Sequence, residues 1–64
     1  MASSLDQQIL AIVDQDGFVT TRTCVQKLGV SRDTAWQHLT GLVQSGTLQV
    51  YGKGRGTRYA RAGQ

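Results

Sequence analysis

Apolar residues recur along the first part of the chain at the spacing of a helix. In "SSLDQQILAIVDQDG", Leu5, Ile9, Ile12 and Val13 share one face, with Leu10 beside them. Ser4 followed by Gln7 reads as a capping box, and Gly17 ends the helix. "FVT" then supplies a short apolar, β-prone stretch. Thr20 is the expected N-cap of a second, short helix, "TRTCVQKL", whose inner face is Cys24, Val25 and Leu28. In "GVS", Gly29 suits a left-handed helix end and Ser31 suits the N-cap of a third helix. That helix, Arg32 to about Gln44, is about 20 Å long at about 1.5 Å per residue. Ala35, Leu39 and Leu42 form its buried stripe, Val43 edges it, and Gly46 stops it.

After Gly46 the period shortens to two. In "TLQVY", Leu48 and Val50 face one way and Gln49 and Tyr51 the other. "GKGRG" turns the chain and "TRYAR" returns, with Tyr59 expected to pack against Leu48 and Val50. A lone hairpin is marginal in water, so this one should lean on the helices and pair with the Val19 segment. The expected fold is mainly α with a small β-hairpin: three helices and a two- to three-stranded antiparallel sheet.

Size and charge narrow what such a fold can do. The chain has 64 residues, enough for one domain. A domain this small buries only about 60% of its unfolded surface, so a deep catalytic pocket is not expected. The formal charge is +3, unevenly spread. Before Arg32, Asp6, Asp14 and Asp16 outnumber Arg22 and Lys27; from Arg32 onward, Arg32, Lys53, Arg55, Arg58 and Arg61 face only Asp33. A polarised basic half points to a polyanionic partner.

The single cysteine, Cys24, excludes an internal disulfide and reads as a small core residue. One Cys and one His, His38, do not make a structural zinc site, so no metal or cofactor is expected. The longest apolar run, Ile9 to Val13, is five residues. About 20 are needed to cross a bilayer, so no membrane association is expected. These features together lead to an expected cytoplasmic, nucleoid-associated location.

"YGKGRGTRY", residues 51–59, looks at first like a phosphate-cradling loop. A P-loop needs G-x-x-x-x-G-K-[ST] between a strand and a helix. Here Gly54 follows Lys53 and no helix follows at all, so a hairpin turn explains the glycines better. His38 stands five residues from Asp33 on one helix, and no Gly-x-Ser-x-Gly occurs. No enzymatic role is expected.

The block "VTTRTCVQKLGVSRDTAWQHLTGLVQSGTL", residues 19–48, resembles the winged helix-turn-helix of bacterial and archaeal transcription regulators, DeoR-type repressors in particular. The "G-x-G-R-x-x-x-Y" ending of the hairpin resembles the wing of such domains. The resemblance runs from about Ile9 to Tyr59 and is most specific in "LGVSRDTAWQHLTGL". Two residues depart from it. Ala35 stands where a branched aliphatic is usual, and Trp36 where a basic residue is common. The resemblance implies a single domain over 1–64, with a helix-turn-helix at about 20–45 and a wing at about 47–61.

It also implies a DNA-binding surface. The third helix would enter the major groove, N-terminal turn foremost. Opposite its buried stripe stand Asp33, Thr34, Gln37, Thr40 and Gly41. Gln37, at the centre, can pair bidentately with adenine. Thr34 and Thr40 could touch bases, thymine methyls or phosphate. Gly41, costly in a helix by about 1 kcal/mol relative to alanine, would fit close approach of DNA or another helix. Ser31 and Thr34 can donate to phosphate, or simply cap. Arg32 would reach phosphate or guanine, and Asp33 would stabilise the helix N-terminus. His38 is expected to be partly buried and hydrogen-bonded. Trp36 is expected to pad the core edge; a backbone contact and a subunit anchor are its alternatives. On the wing, Lys53, Arg55 and Arg58 would follow phosphates, with Arg55 able to enter a minor groove.

The expected function is sequence-specific binding of double-stranded DNA by a transcription regulator, a repressor acting by site occupancy. A homodimer on a palindrome is one expected arrangement, and no small-molecule effector is evident. The chain would be a minimal regulator or a domain cut from a larger protein. The rival is a winged helix for protein–protein contact centred on Trp36.

Overall fold

In the computed structural model, which describes residues 4–52 and 56–63, three helices precede a hairpin. The order is α1 (Ser4–Asp16), α2 (Thr21–Leu28), α3 (Arg32–Gln44), β1 (Leu48–Tyr51) and β2 (Arg58–Arg61). Among the described residues, side-chain caps set the starts of α2 and α3. The Thr20 hydroxyl accepts from the Thr23 N–H at 3.1 Å, and the Ser31 hydroxyl accepts from the Thr34 N–H at 3.1 Å. Ser4 is not the cap its spacing to Gln7 suggests. It is already helical, which places Leu5, packed against the core, inside the first turn.

α2 ends at Gly29, as expected. The end of α3 is a Schellman motif. The Gly46 N–H donates to the Val43 carbonyl at 3.0 Å and the Thr47 N–H to the Leu42 carbonyl at 2.9 Å. Gly46 takes φ 83 to allow this and aims the chain into β1.

β1 and β2 pair antiparallel, with Leu48 opposite Arg61, Val50 opposite Tyr59 and Tyr51 opposite Arg58. An isolated bridge joins Val19 to Tyr59, so β2 lies between the Val19 segment and β1. The core forms where α1, α2 and α3 meet this small sheet. Ile9, Val13, Val19, Cys24, Ala35, Leu39, Leu48 and Tyr59 are all buried.

Two apolar residues expected inside are not. Val50 does share a face with Tyr59, but it is 49% exposed. It belongs to the outer strand, beyond the reach of the core that covers Leu48. Trp36 is 56% exposed and does not pad the core edge. Ala35 already points at the centre of the core, and the next step of about 100° carries Trp36 outward.

The acidic residues of α1 tie it to each other layer. Asp6 accepts from His38 Nδ1 of α3 at 2.8 Å. His38 is therefore the half-buried, hydrogen-bonded residue that was expected. Asp14 accepts from Arg61 of β2 through Nε and a terminal nitrogen, both at 2.9 Å. Asp16 lies 3.5 Å from Lys27 Nζ of α2. Exposed pairs of this kind contribute little individually. Their larger effect is on charge, since they neutralise Lys27 and Arg61.

Candidate nucleic-acid interface

Once those pairs are made, the basic residues left over among the described ones gather in one place. Phe18, Thr20, Thr21, Arg22, Arg32, Gly56, Thr57 and Arg58 line an open groove of about 420 Å³. Three separate parts of the chain build it. The Val19–Tyr59 bridge draws the residues before α2 against β2. The Thr20 cap starts α2 there and places Arg22 in its first turn. The Ser31 cap starts α3 and sets Arg32 at its first position. Among the described residues no carboxylate pairs with Arg22, Arg32 or Arg58. The Arg58 guanidinium sits 4.7 Å from the centroid of the Phe18 ring, a cation–π contact.

A second hollow adjoins the groove along α3, lined by Thr21, Arg32, Asp33 and Trp36. Arg32 belongs to both, so it links the start of α3 to the returning strand of the wing. The Ser31 hydroxyl is committed: it accepts from the Thr34 N–H and donates to the Thr34 hydroxyl at 2.9 Å. That makes Ser31 a cap first, and it leaves the Thr34 hydroxyl proton to reach outward.

The outer face of α3 carries Asp33, Gln37 and Gly41, all exposed, with Thr40 half-buried at its side. Gln37, Thr40 and Gly41 stand outside the arginine groove. A methyl group added at Gly41 would meet nothing within 4 Å, so no close approach within this chain accounts for its glycine. Lys53 and Arg55 lie outside the described residues. Of the three wing cations expected at the DNA, Arg58 is the one whose position is described.

Two residues that line the groove escaped the sequence. Arg22 was counted only in the acidic half, although its place two residues after the Thr20 cap already puts it in the first turn of α2. Phe18 read as plain β-stretch. Trp36, four residues from both Arg32 and Thr40, is contiguous with the outer face of α3.

The titrations of Asp14 and Cys24 are displaced. The hydrogen bonds from Arg61 hold the Asp14 carboxyl below its ordinary value, against a small opposing effect of burial. Burial alone pushes the Cys24 thiol up. Neither group touches the groove. Among the described residues, no cluster of three or more His, Cys, Asp or Glu side chains is placed to hold a metal ion. No helix among them is long and apolar enough to cross a membrane.

A helix-turn-helix with a hairpin wing and a basic groove between them defines a winged helix-turn-helix DNA-binding domain. Residues 6–55 match the DeoR-like helix-turn-helix domain, and the chain belongs to that family. Its fold is also similar to that of the Zalpha domain of PKZ from Carassius auratus, solved in complex with Z-DNA. That likeness has a TM-score of 0.79 and 18% identity, over 89% of this chain and 90% of the other. No curated protein matches the sequence.

Proposed function

We propose that this chain recognises specific sequences in double-stranded DNA and regulates transcription as a repressor, by occupying its site. In this reading the chain is one domain over residues 1–64. α3 enters the major groove with Gln37 at the centre of its reading face, beside Asp33, Thr40 and Gly41. Ser31 and Thr34 lie at the phosphate edge, and Arg32 bridges to the backbone. Lys53, Arg55 and Arg58 bring the wing to the backbone or the minor groove. The observation that carries this reading is Arg32. At the first position of α3, it lines one groove with Arg58 of the wing, so the helix and the wing offer a single basic surface. Binding as a dimer to a palindrome would supply the affinity that one small module lacks.

The test is titration of preferred and random duplexes at several salt concentrations, after selection of bound sequences from a random pool. If one copy neutralises about 3–5 phosphates, log K against log salt should slope at about −3 to −4.5. A flat dependence would falsify the reading. A left-handed duplex belongs in the same titration, because the structural neighbour from Carassius auratus was solved on Z-DNA and this chain exposes Trp36 on α3. Preference for that form over right-handed duplex would replace major-groove reading with recognition of backbone shape. A fold whose exposed Trp36 serves a protein partner instead would bind neither form at low salt.

A further inference from the structure

Among the described residues, pairing sorts the cations into two sets. Lys27 and Arg61 are held by Asp16 and Asp14 of α1. Arg22, Arg32 and Arg58 have no carboxylate partner among the described residues, and all three line the one groove between α2, α3 and the returning wing strand. The three arginines come from positions far apart in sequence. Three cations that line one groove give it a positive potential, and an anion is the ligand that such a potential attracts.

Arg58 is also held in a particular place. Val19 and Tyr59 exchange backbone hydrogen bonds at 2.8 Å in each direction. Their neighbours Phe18 and Arg58 are thereby brought together, with the guanidinium over the ring at 4.7 Å. An arginine that rests on an aromatic face keeps its N–H edge available for oxygen acceptors, and it loses less side-chain freedom on binding. Phe18 itself is 38% exposed, an apolar ring left at the surface beside the groove.

The geometry points to this groove as the seat of one sugar-phosphate strand of duplex DNA. Arg22, Arg32 and Arg58 take its phosphodiester oxygens, and Phe18 is the positioning residue that holds Arg58 for the task. The inference rests on the DNA-binding reading above and adds two residues to it, Arg22 and Phe18. The ligand chemistry is a phosphodiester of the backbone, with no base read. The groove therefore contributes affinity equally on every sequence, while the outer face of α3 discriminates.

The experiment measures duplex affinity against salt for the full chain and its variants, with far-ultraviolet circular dichroism and thermal midpoint confirming the fold of each. Arg22→Ala should lower affinity by the same factor on preferred and random duplex. It should also make the salt slope shallower by about 0.9, the value for one phosphate contact. Arg22→Lys should keep most of the slope. Phe18→Leu keeps the apolar bulk and removes the ring face, so it should weaken binding toward the level of Arg58→Ala. In an Arg58→Ala background it should have no further effect, and Phe18→Tyr should bind as wild type. A folded Arg22→Ala variant with the wild-type slope overturns the seat. Equal effects of Phe18→Leu with and without Arg58 overturn the positioning role. A second arm adds inorganic phosphate at constant ionic strength. Displacement of the duplex by millimolar phosphate, lost in Arg22→Ala, would make a free phosphate the occupant and overturn the backbone assignment. Failure of the wild-type chain to bind any duplex would instead remove the DNA reading as a whole.

Discussion

Val19 and Tyr59 exchange both of their backbone hydrogen bonds, each 2.8 Å long. This single bridge joins the segment before α2 to the middle of the hairpin. It turns a two-stranded wing, marginal alone, into part of the folded core. The Tyr59 ring completes the attachment, 7% exposed and in one cluster with Val19 and Leu48.

Tyr59→Ala should therefore do more than empty a site on the wing. Truncating a buried aromatic costs about 3–5 kcal/mol, a large share of what a domain this size has. The Val19 amide should be among the slowly exchanging ones in the native protein and should lose that protection in the variant. Hydrogen exchange followed by NMR reads both. Fast exchange of Val19 in the wild type would show that the wing is not docked.

Trp36 offers a direct optical check of its exposed position. Its emission should lie close to that of free tryptophan, and iodide should quench it efficiently. Addition of duplex should reduce that quenching, because the side chain adjoins Arg32 on α3. Trp36→Ala should change stability by no more than about 0.5 kcal/mol, the usual range for a surface substitution. A strongly blue-shifted, shielded tryptophan in the free protein would contradict this placement.

Gln37 and the arginines should fail in different ways. Gln37→Ala should cost about 1–3 kcal/mol on the preferred duplex and little on random DNA. Lys53→Ala combined with Arg55→Ala should weaken both and make the salt slope shallower by about 2. If Gln37→Ala lowers both affinities alike, Gln37 contacts backbone and base reading lies elsewhere on α3.

The elements were legible in the sequence because local chemistry decides them. Thr20 and Ser31 cap as their side chains dictate, Gly29 and Gly46 terminate, and the Ala35, Leu39 and Leu42 stripe faces inward. Even the bridge to Val19 followed from the need to support a short hairpin. The site was less legible, because it depends on what distant residues do to one another. Nothing along the chain marks Arg61 as neutralised by Asp14, 47 residues away, or Arg58 as resting on Phe18. Net charge by halves therefore counted Arg61 toward the binding surface and left Arg22 out of it. Trp36 and Val50 were misplaced for a related reason. Periodicity gives the direction of a side chain but not how far the core extends to meet it.

Cys24 links burial to alkaline stability. It is fully buried, and burial raises its thiol pKa above the ordinary 9.0. The native state thus holds its proton at a pH where the unfolded chain has lost it. That contribution to stability is complete below 9.0 and is lost as pH rises beyond it. Cys24→Ala should consequently lose less stability than wild type between neutral and alkaline pH, as measured by urea unfolding. At neutral pH, a thiol reagent should label Cys24 only as fast as the protein opens. Rapid labelling of the native protein would place the thiol at the surface.

Among the described wing residues, Gly52 is the one where an added side chain meets backbone. It has φ 80, a left-handed conformation, and a Cβ built there would lie 2.5 Å from the Gly56 carbonyl oxygen. The left-handed conformation alone costs a non-glycine residue about 1–2 kcal/mol. Gly29, at φ 68 with nothing within 4 Å of an added Cβ, isolates that cost. Gly29→Ala should lower stability by about that amount. Gly52→Ala should cost more, because the backbone of the returning chain has to move away. The displacement falls next to the Tyr51–Arg58 pair and to Arg58 itself. Gly52→Ala should therefore also weaken duplex binding, while Gly29→Ala, measured at a temperature where both are folded, should leave it unchanged. Equal stability losses in the two variants would mean that the hairpin absorbs a methyl group at Gly52 without moving the groove.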